Sequence, residues 1–145
     1  MDELKRALEW HKKAVPNPTI ESACVQIGCH YEEVSEMAQT TNDTDLCEEA
    51  EHSGRGYKLK RKSYMLTIYE LSHNDKIKLL DSLCDQVVTA AGVAHSLGFD
   101  LIGALKEVND SNYSKFVNGK AVFDKNGKID KPTCYNPPQL ERFIK

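Results

Sequence analysis

Apolar residues return at intervals of three and four along most of this chain, the period that gathers them on one face of an α-helix. Leu4, Ala7 and Leu8 mark a first helix over residues 2–14, which Pro16 and Pro18 end. Thr19 then stands as an N-cap, and Ile20, Cys24, Ile27, Tyr31, Val34 and Ala38 carry a second helix to about residue 39. Residues 40–45 are polar and turn-prone, and only a short helix over 44–52 is expected before Gly54 and Gly56 interrupt the pattern. Met65, Leu66, Ile68, Tyr69 and Leu71 predict a third long helix over about 57–73, opened by Lys58, Lys60, Arg61 and Lys62. A fourth, about 75–97, begins beside Asn74 as a cap and has no charge between Asp85 and His95, which predicts burial on most of its circumference. Gly98 fits a helix stop, after which Asp100 caps a fifth helix over about 101–116.

The tail differs in kind. Asn118-Gly119 and Asn126-Gly127 are turn dipeptides, and residues 121–123 and 128–129 are expected to pair as a small hairpin. Asn136-Pro137-Pro138 precedes a last short helix over 139–144. The expectation is an all-α chain: one domain over 1–145, a helical bundle of about five main helices with a hairpin-like tail at 117–138.

Composition narrows the partners. With 145 residues, 40% of them hydrophobic, the chain is long enough to bury a core without disulfide staples. Its net charge of −3, from 19 basic and 22 acidic residues, gives no field that favours a stable nucleic-acid complex or an acidic membrane. An anionic ligand must therefore be held locally. The five cysteines are odd in number and form no C-x-x-C pair, and Met1-Asp2-Glu3-Leu4-Lys5-Arg6 is charged where a signal peptide is apolar. These features point to free thiols in the cytoplasm and to no membrane span.

Three constellations carry candidate chemistry. Glu32-Glu33-Val34-Ser35-Glu36 sets carboxylates on adjoining turns of the second helix, where they repel unless a cation sits between them. A solvated acidic face is the common alternative. Asp81 and Asp85 are one turn apart on the apolar fourth helix, where a buried carboxylate needs a cation or an ion-pair partner. Two such pairs together offer the oxygen ligands that Mg²⁺ prefers. Late on the fifth helix, Asn112 and Lys115 stand three residues apart and offer amide and ammonium donors to phosphate oxygens. Trp10 and His11 offer stacking surfaces, although a lone tryptophan more often fills a core.

Taken in order, Glu32-Glu33-x-x-Glu36, Asp81-x-x-x-Asp85 and Glu107-Val-Asn-x-Ser-Asn112-x-Ser-Lys115 resemble the MazG-like, all-α nucleoside triphosphate pyrophosphohydrolases. The tail, with Gly119-Lys120-x-x-Phe123-Asp124-x-Asn126-Gly127-Lys128 and Tyr135-Asn-Pro-Pro138, is similar to a phage and bacterial branch that also resembles phosphoribosyl-ATP pyrophosphohydrolase. The resemblance spans about residues 19–138. It implies Mg²⁺, with Mn²⁺ as a substitute, held by Glu33, Glu36 and Asp85. The family's second glutamate falls on Ser82, which leaves the displaced Asp81, a water-filled position or a different metal count as alternatives for the fourth ligand. It implies further that Asn112 and Lys115 face the phosphates, that Glu32 or Glu36 activates water, and that a nucleoside or deoxynucleoside triphosphate yields the monophosphate and pyrophosphate. The assembly implied is a homodimer or homotetramer, in a host cytoplasm if the chain is phage-encoded. Purine deoxynucleotides, dUTP and oxidised nucleotides are all admissible substrates.

Two rivals remain. Glu49-x-x-His52 and Glu70-x-x-His73 supply the paired motifs of a di-iron carboxylate bundle. A non-catalytic nucleotide-binding or interaction protein would carry the acidic clusters only as surface charges or ion pairs.

Overall fold

The computed structural model describes residues 2–144. Its helices are α1 (Glu3–Ala14), α2 (Ile20–Thr40), α3 (Thr44–Lys58), α4 (Lys62–Tyr69), α5 (His73–Ser96) and α6 (Leu101–Tyr113), followed by a 3-10 turn at Glu141–Phe143. No strand occurs among the described residues, so the class is all-α. In place of the expected hairpin stand two isolated antiparallel bridges, Val117 with Lys120 and Phe123 with Ile129. The short helix expected over 139–144 is reduced to the 3-10 turn.

The helix ends follow local chemistry. Thr19 and Ser22 form a reciprocal capping box at the start of α2, each side chain accepting the other's main-chain N–H at 3.2 and 2.7 Å. Ser72 and Asp75 do the same for α5, so that helix begins before Asn74, the residue expected to cap it. Asp100 accepts the Gly103 amide at 3.0 Å and caps α6 as expected. Past α5, Gly98 turns at φ +74, with Gly98 N–H donating to His95 O and Phe99 N–H to Ala94 O. That pairing is a Schellman stop, which needs the left-handed residue that glycine supplies without strain.

The contacts divide the chain into two compact units. One comprises Asn17–Leu71 and Phe123–Ile129. Here the expected short helix over 44–52 is the full α3, and the expected long third helix is only α4. Gly54 and Gly56 do not break α3, because packing requires small residues there. A Cβ on Gly28 of α2 would lie 2.7 Å from the Gly54 carbonyl oxygen, and one on Gly56 would lie 2.6 Å from the Tyr64 ring. The close crossing of α2 and α3 thus offsets the conformational cost of glycine in a helix, about 1 kcal/mol each. Cys24, Val25, Ala38 and Ala50 are buried in this unit, and beside the seam Tyr31 stacks on Tyr57 with centroids 5.7 Å apart while Tyr64 meets Tyr57 at a tilt, 4.4 Å away.

The other unit comprises the described residues of Met1–Pro16, Ser72–Val122 and Asp130–Lys145. In it α1 packs on α6 around buried Trp10, Ala14 and Asn109. The 3-10 turn docks at the start of α6, where Asp100 N–H donates to Phe143 O at 2.9 Å and Arg142 pairs with Glu107 at 2.8 Å. α5 corrects the expectation of burial. Ile77, Leu79, Leu80, Leu83, Val87, Val88 and Val93 are all exposed, and within its unit α5 meets only α6, its neighbour across the Gly98 turn. An uncharged stretch on a helix does not by itself mean burial within the chain. Among the described residues no single helix is long and apolar enough to cross a membrane.

Candidate functional site

On α2, Gly28, Glu32 and Ser35 follow one another at four and three residues and so share the stripe that faces α3. Gly28 meets Gly54 there, and the Ser35 hydroxyl donates to Cys47 O at 3.1 Å. Between them Glu32 is half-buried. Its Oε1 receives Lys58 of α3 at 3.0 Å and its Oε2 receives Lys128. Burial pushes the Glu32 carboxyl up, but the two ammonium groups outweigh it and hold it below its ordinary value. Glu33 and Glu36, one and four residues after Glu32, are exposed. The resemblance assigns Glu33 and Glu36 to the metal and either Glu32 or Glu36 to the water; in the structure Glu32 differs from both in being half-buried and tied to two lysines.

Lys128 is delivered by a tight turn. Asp124 Oδ1 accepts the main-chain N–H groups of Asn126 and Lys128 at 2.8 and 3.0 Å, and Gly127 takes φ +85. Lys60 donates to Asn126 O at 3.1 Å from the body of the unit. The basic run at 58–62, expected to open a helix, is therefore partly committed to this turn and to Glu32.

On α5, Asp81 and Asp85 are exposed one turn apart, with Ser82 beside them. α6 ends at Tyr113, short of the expected 116, and Lys115 just beyond it meets Asn112: Lys115 donates to Asn112 Oδ1 at 2.8 Å, and the buried Trp10 indole donates to Asn112 O at 2.8 Å. The Lys115 ammonium also lies 5.7 Å from the Trp10 ring centroid and 5.6 Å from that of Tyr135, and Lys131 lies 5.4 Å from Tyr135. Lys131 and the role of Lys128 were missed in the sequence. The Asp124-x-Asn126-Gly127 turn signal was visible, but its docking partner, 96 residues away, was not.

The di-iron motifs do not assemble. Glu49 and His52 are exposed on α3, while Glu70 is the C-cap of α4 and His73 opens α5, so the second motif is split between helices.

No protein-family profile, curated protein or solved structure matches the chain.

Whether these residues suit Mg²⁺ turns on their chemistry. Among the described residues no three carboxylate, imidazole or thiol groups gather at ligand distance. Mg²⁺ nevertheless keeps several waters and is usually bound by one or two carboxylates plus substrate phosphates, rather than by an all-protein cage. The all-oxygen pairs Glu33/Glu36 and Asp81/Asp85, exposed at one-turn spacing, suit that mode.

Proposed function

We propose that the chain is a MazG-like nucleoside triphosphate pyrophosphohydrolase, acting in the cytoplasm as a homodimer or homotetramer. The observation that carries this reading is the difference among the acids on α2: half-buried Glu32 is bound by Lys58 and Lys128, while Glu33 and Glu36 are exposed. Glu33, Glu36, Asp85 and Asp81 are the proposed cation ligands. Mg²⁺, or Mn²⁺ in its place, would neutralise phosphate charge and lower the pKa of the attacking water when bound. Glu36, rather than the lysine-bound Glu32, orients that water and takes its proton. The water oxygen bonds to the α-phosphorus, the bond to the bridging oxygen breaks, and pyrophosphate leaves with the electron pair. Lys115, steadied by Asn112 and two aromatic rings, is the proposed ligand of phosphate oxygens.

The oligomer draws support from α5, where exposed Ile77, Leu80, Cys84 and Val88 recur at three and four residues. A helix of 24 residues is about 36 Å long. A second copy laid along that stripe covers apolar surface running beside Asp81 and Asp85, which brings the carboxylates to the edge of the interface.

The test is pyrophosphate release from a panel of canonical and modified NTPs and dNTPs with Mg²⁺ or Mn²⁺. The comparison protein carries Glu36→Gln and Asp85→Asn together. Monophosphate and pyrophosphate that disappear in the double variant support the reading. A folded, metal-supplied wild type that turns over no nucleotide overturns it and leaves a binding protein.

A further inference from the structure

Glu32 joins three segments of its unit. Its two carboxylate oxygens are taken by lysines from separate places, Lys58 at the end of α3 and Lys128 in the Asp124–Lys128 turn, and that turn is tied a second time through Lys60 and Asn126 O. Glu32 also stands between the Gly28–Gly54 approach and the Ser35–Cys47 hydrogen bond, on the stripe of α2 that faces α3. Glu33 and Glu36 are exposed on the same two turns, Glu36 one turn along from Glu32. Any rotation or fraying of α2 at Glu32 therefore moves both exposed carboxylates. We infer that Glu32 is a positioning residue, which with Lys58 and Lys128 locks the turns of α2 that present Glu33 and Glu36 to a divalent cation. The inference rests on the cation-dependent reading above and deepens it, since it withdraws Glu32 from proton transfer and adds two lysines to the machinery of the site.

The experiment uses the full chain and two readouts, Mn²⁺ affinity by titration and pyrophosphate release. The variants are Glu32→Gln, Lys128→Met, Lys128→Arg and the Glu32→Gln/Lys128→Met pair, each checked for helical circular dichroism. Groups that orient metal ligands change metal affinity about tenfold or more when removed. Glu32→Gln and Lys128→Met should each weaken Mn²⁺ binding by about tenfold, with the pair no weaker than the worse single variant, because both break one bridge. Lys128→Arg, which keeps the ion pair, should stay within about twofold of wild type. Should Glu32→Gln not fold, Lys128→Met and Lys58→Met carry the same expectation against Lys128→Arg. The inference is overturned if Glu32→Gln abolishes turnover while Mn²⁺ affinity is unchanged and Lys128→Met behaves as wild type, for Glu32 would then act on substrate directly. A wild type that neither binds Mn²⁺ nor releases pyrophosphate overturns the hydrolase reading itself, and this inference with it.

Discussion

Asn109 donates its side-chain amide to two oxygens of Glu3, the main-chain carbonyl and the carboxylate Oε2, each at 2.9 Å, and is 1% exposed. This contact bonds α6 to the first turn of α1, and it lies beside the Arg6 ion pairs with Glu3 and Asp110. The sequence places Asn109 in a polar helix end that resembles a phosphate-facing motif. The structure gives it a structural task, in which its amide is spent on Glu3.

Asn109→Ala should therefore lower stability by about 1–3 kcal/mol, the cost of stranding buried acceptors. That corresponds to a Tm lower by about 5 °C, read by thermal denaturation. Asn109→Asp should be worse, since it sets a buried carboxylate against that of Glu3. A Tm unchanged in both variants would mean that α1 is not held to α6 through this side chain.

What could be read in advance was whatever neighbouring residues decide. The Thr19 and Asp100 caps, the Gly98 stop and the helical period of α2 and α6 are matters of adjacent chemistry, and the structure has them. Gly54 and Gly56 misled because a glycine's local cost is visible, whereas the close approach of Gly28 and Tyr64 that requires it is tertiary. For the same reason Glu32 was a candidate to activate water and not recognised as the partner of two lysines. Only the position of α3 makes Glu32 a seam residue, and only the turn at 124–128 supplies its second lysine. α5 was correctly read as a helix, but its expected burial is absent, because an uncharged stretch fixes helical period and apolarity and not what packs against them.

If a second copy covers α5, a charge set into its apolar stripe should separate the copies. Val88 is 68% exposed, so Val88→Glu strains nothing within the chain and tests association alone. Sedimentation equilibrium should find wild type as a dimer or tetramer and Val88→Glu as a monomer of unchanged helix content. Activity should fall with dissociation if Asp81 and Asp85 work at the interface. A wild type that stays monomeric at about 100 µM, a concentration at which interfaces of ordinary size are filled, would remove the homo-oligomer from the proposal.

The bridge at Glu32 also predicts how stability depends on pH. Burial alone would raise the Glu32 carboxyl, but Lys128 and Lys58 hold it below its ordinary 4.5 in the folded chain. The unfolded chain then binds the proton more readily, so stability rises with pH between the folded and unfolded values. The contribution of the bridge is complete above the unfolded value and is lost as acidification passes through the lower, folded one. Lys128 behaves in the opposite sense: burial lowers its pKa, the Glu32 carboxylate more than offsets this, and its share is lost only above its ordinary 10.5. Glu32→Gln keeps the side chain's size and removes the charge. Because Glu32 remains 31% exposed and screened, the loss at neutral pH should be modest, about 1 kcal/mol. The Tm gap between wild type and Glu32→Gln should hold steady from about pH 5 to 9 and shrink below about pH 4, the range in which carboxylates protonate. A gap equally wide at about pH 3 and 7 would mean that the variant's cost lies in packing, and that the two lysines contribute no charge-dependent stability to the folded chain.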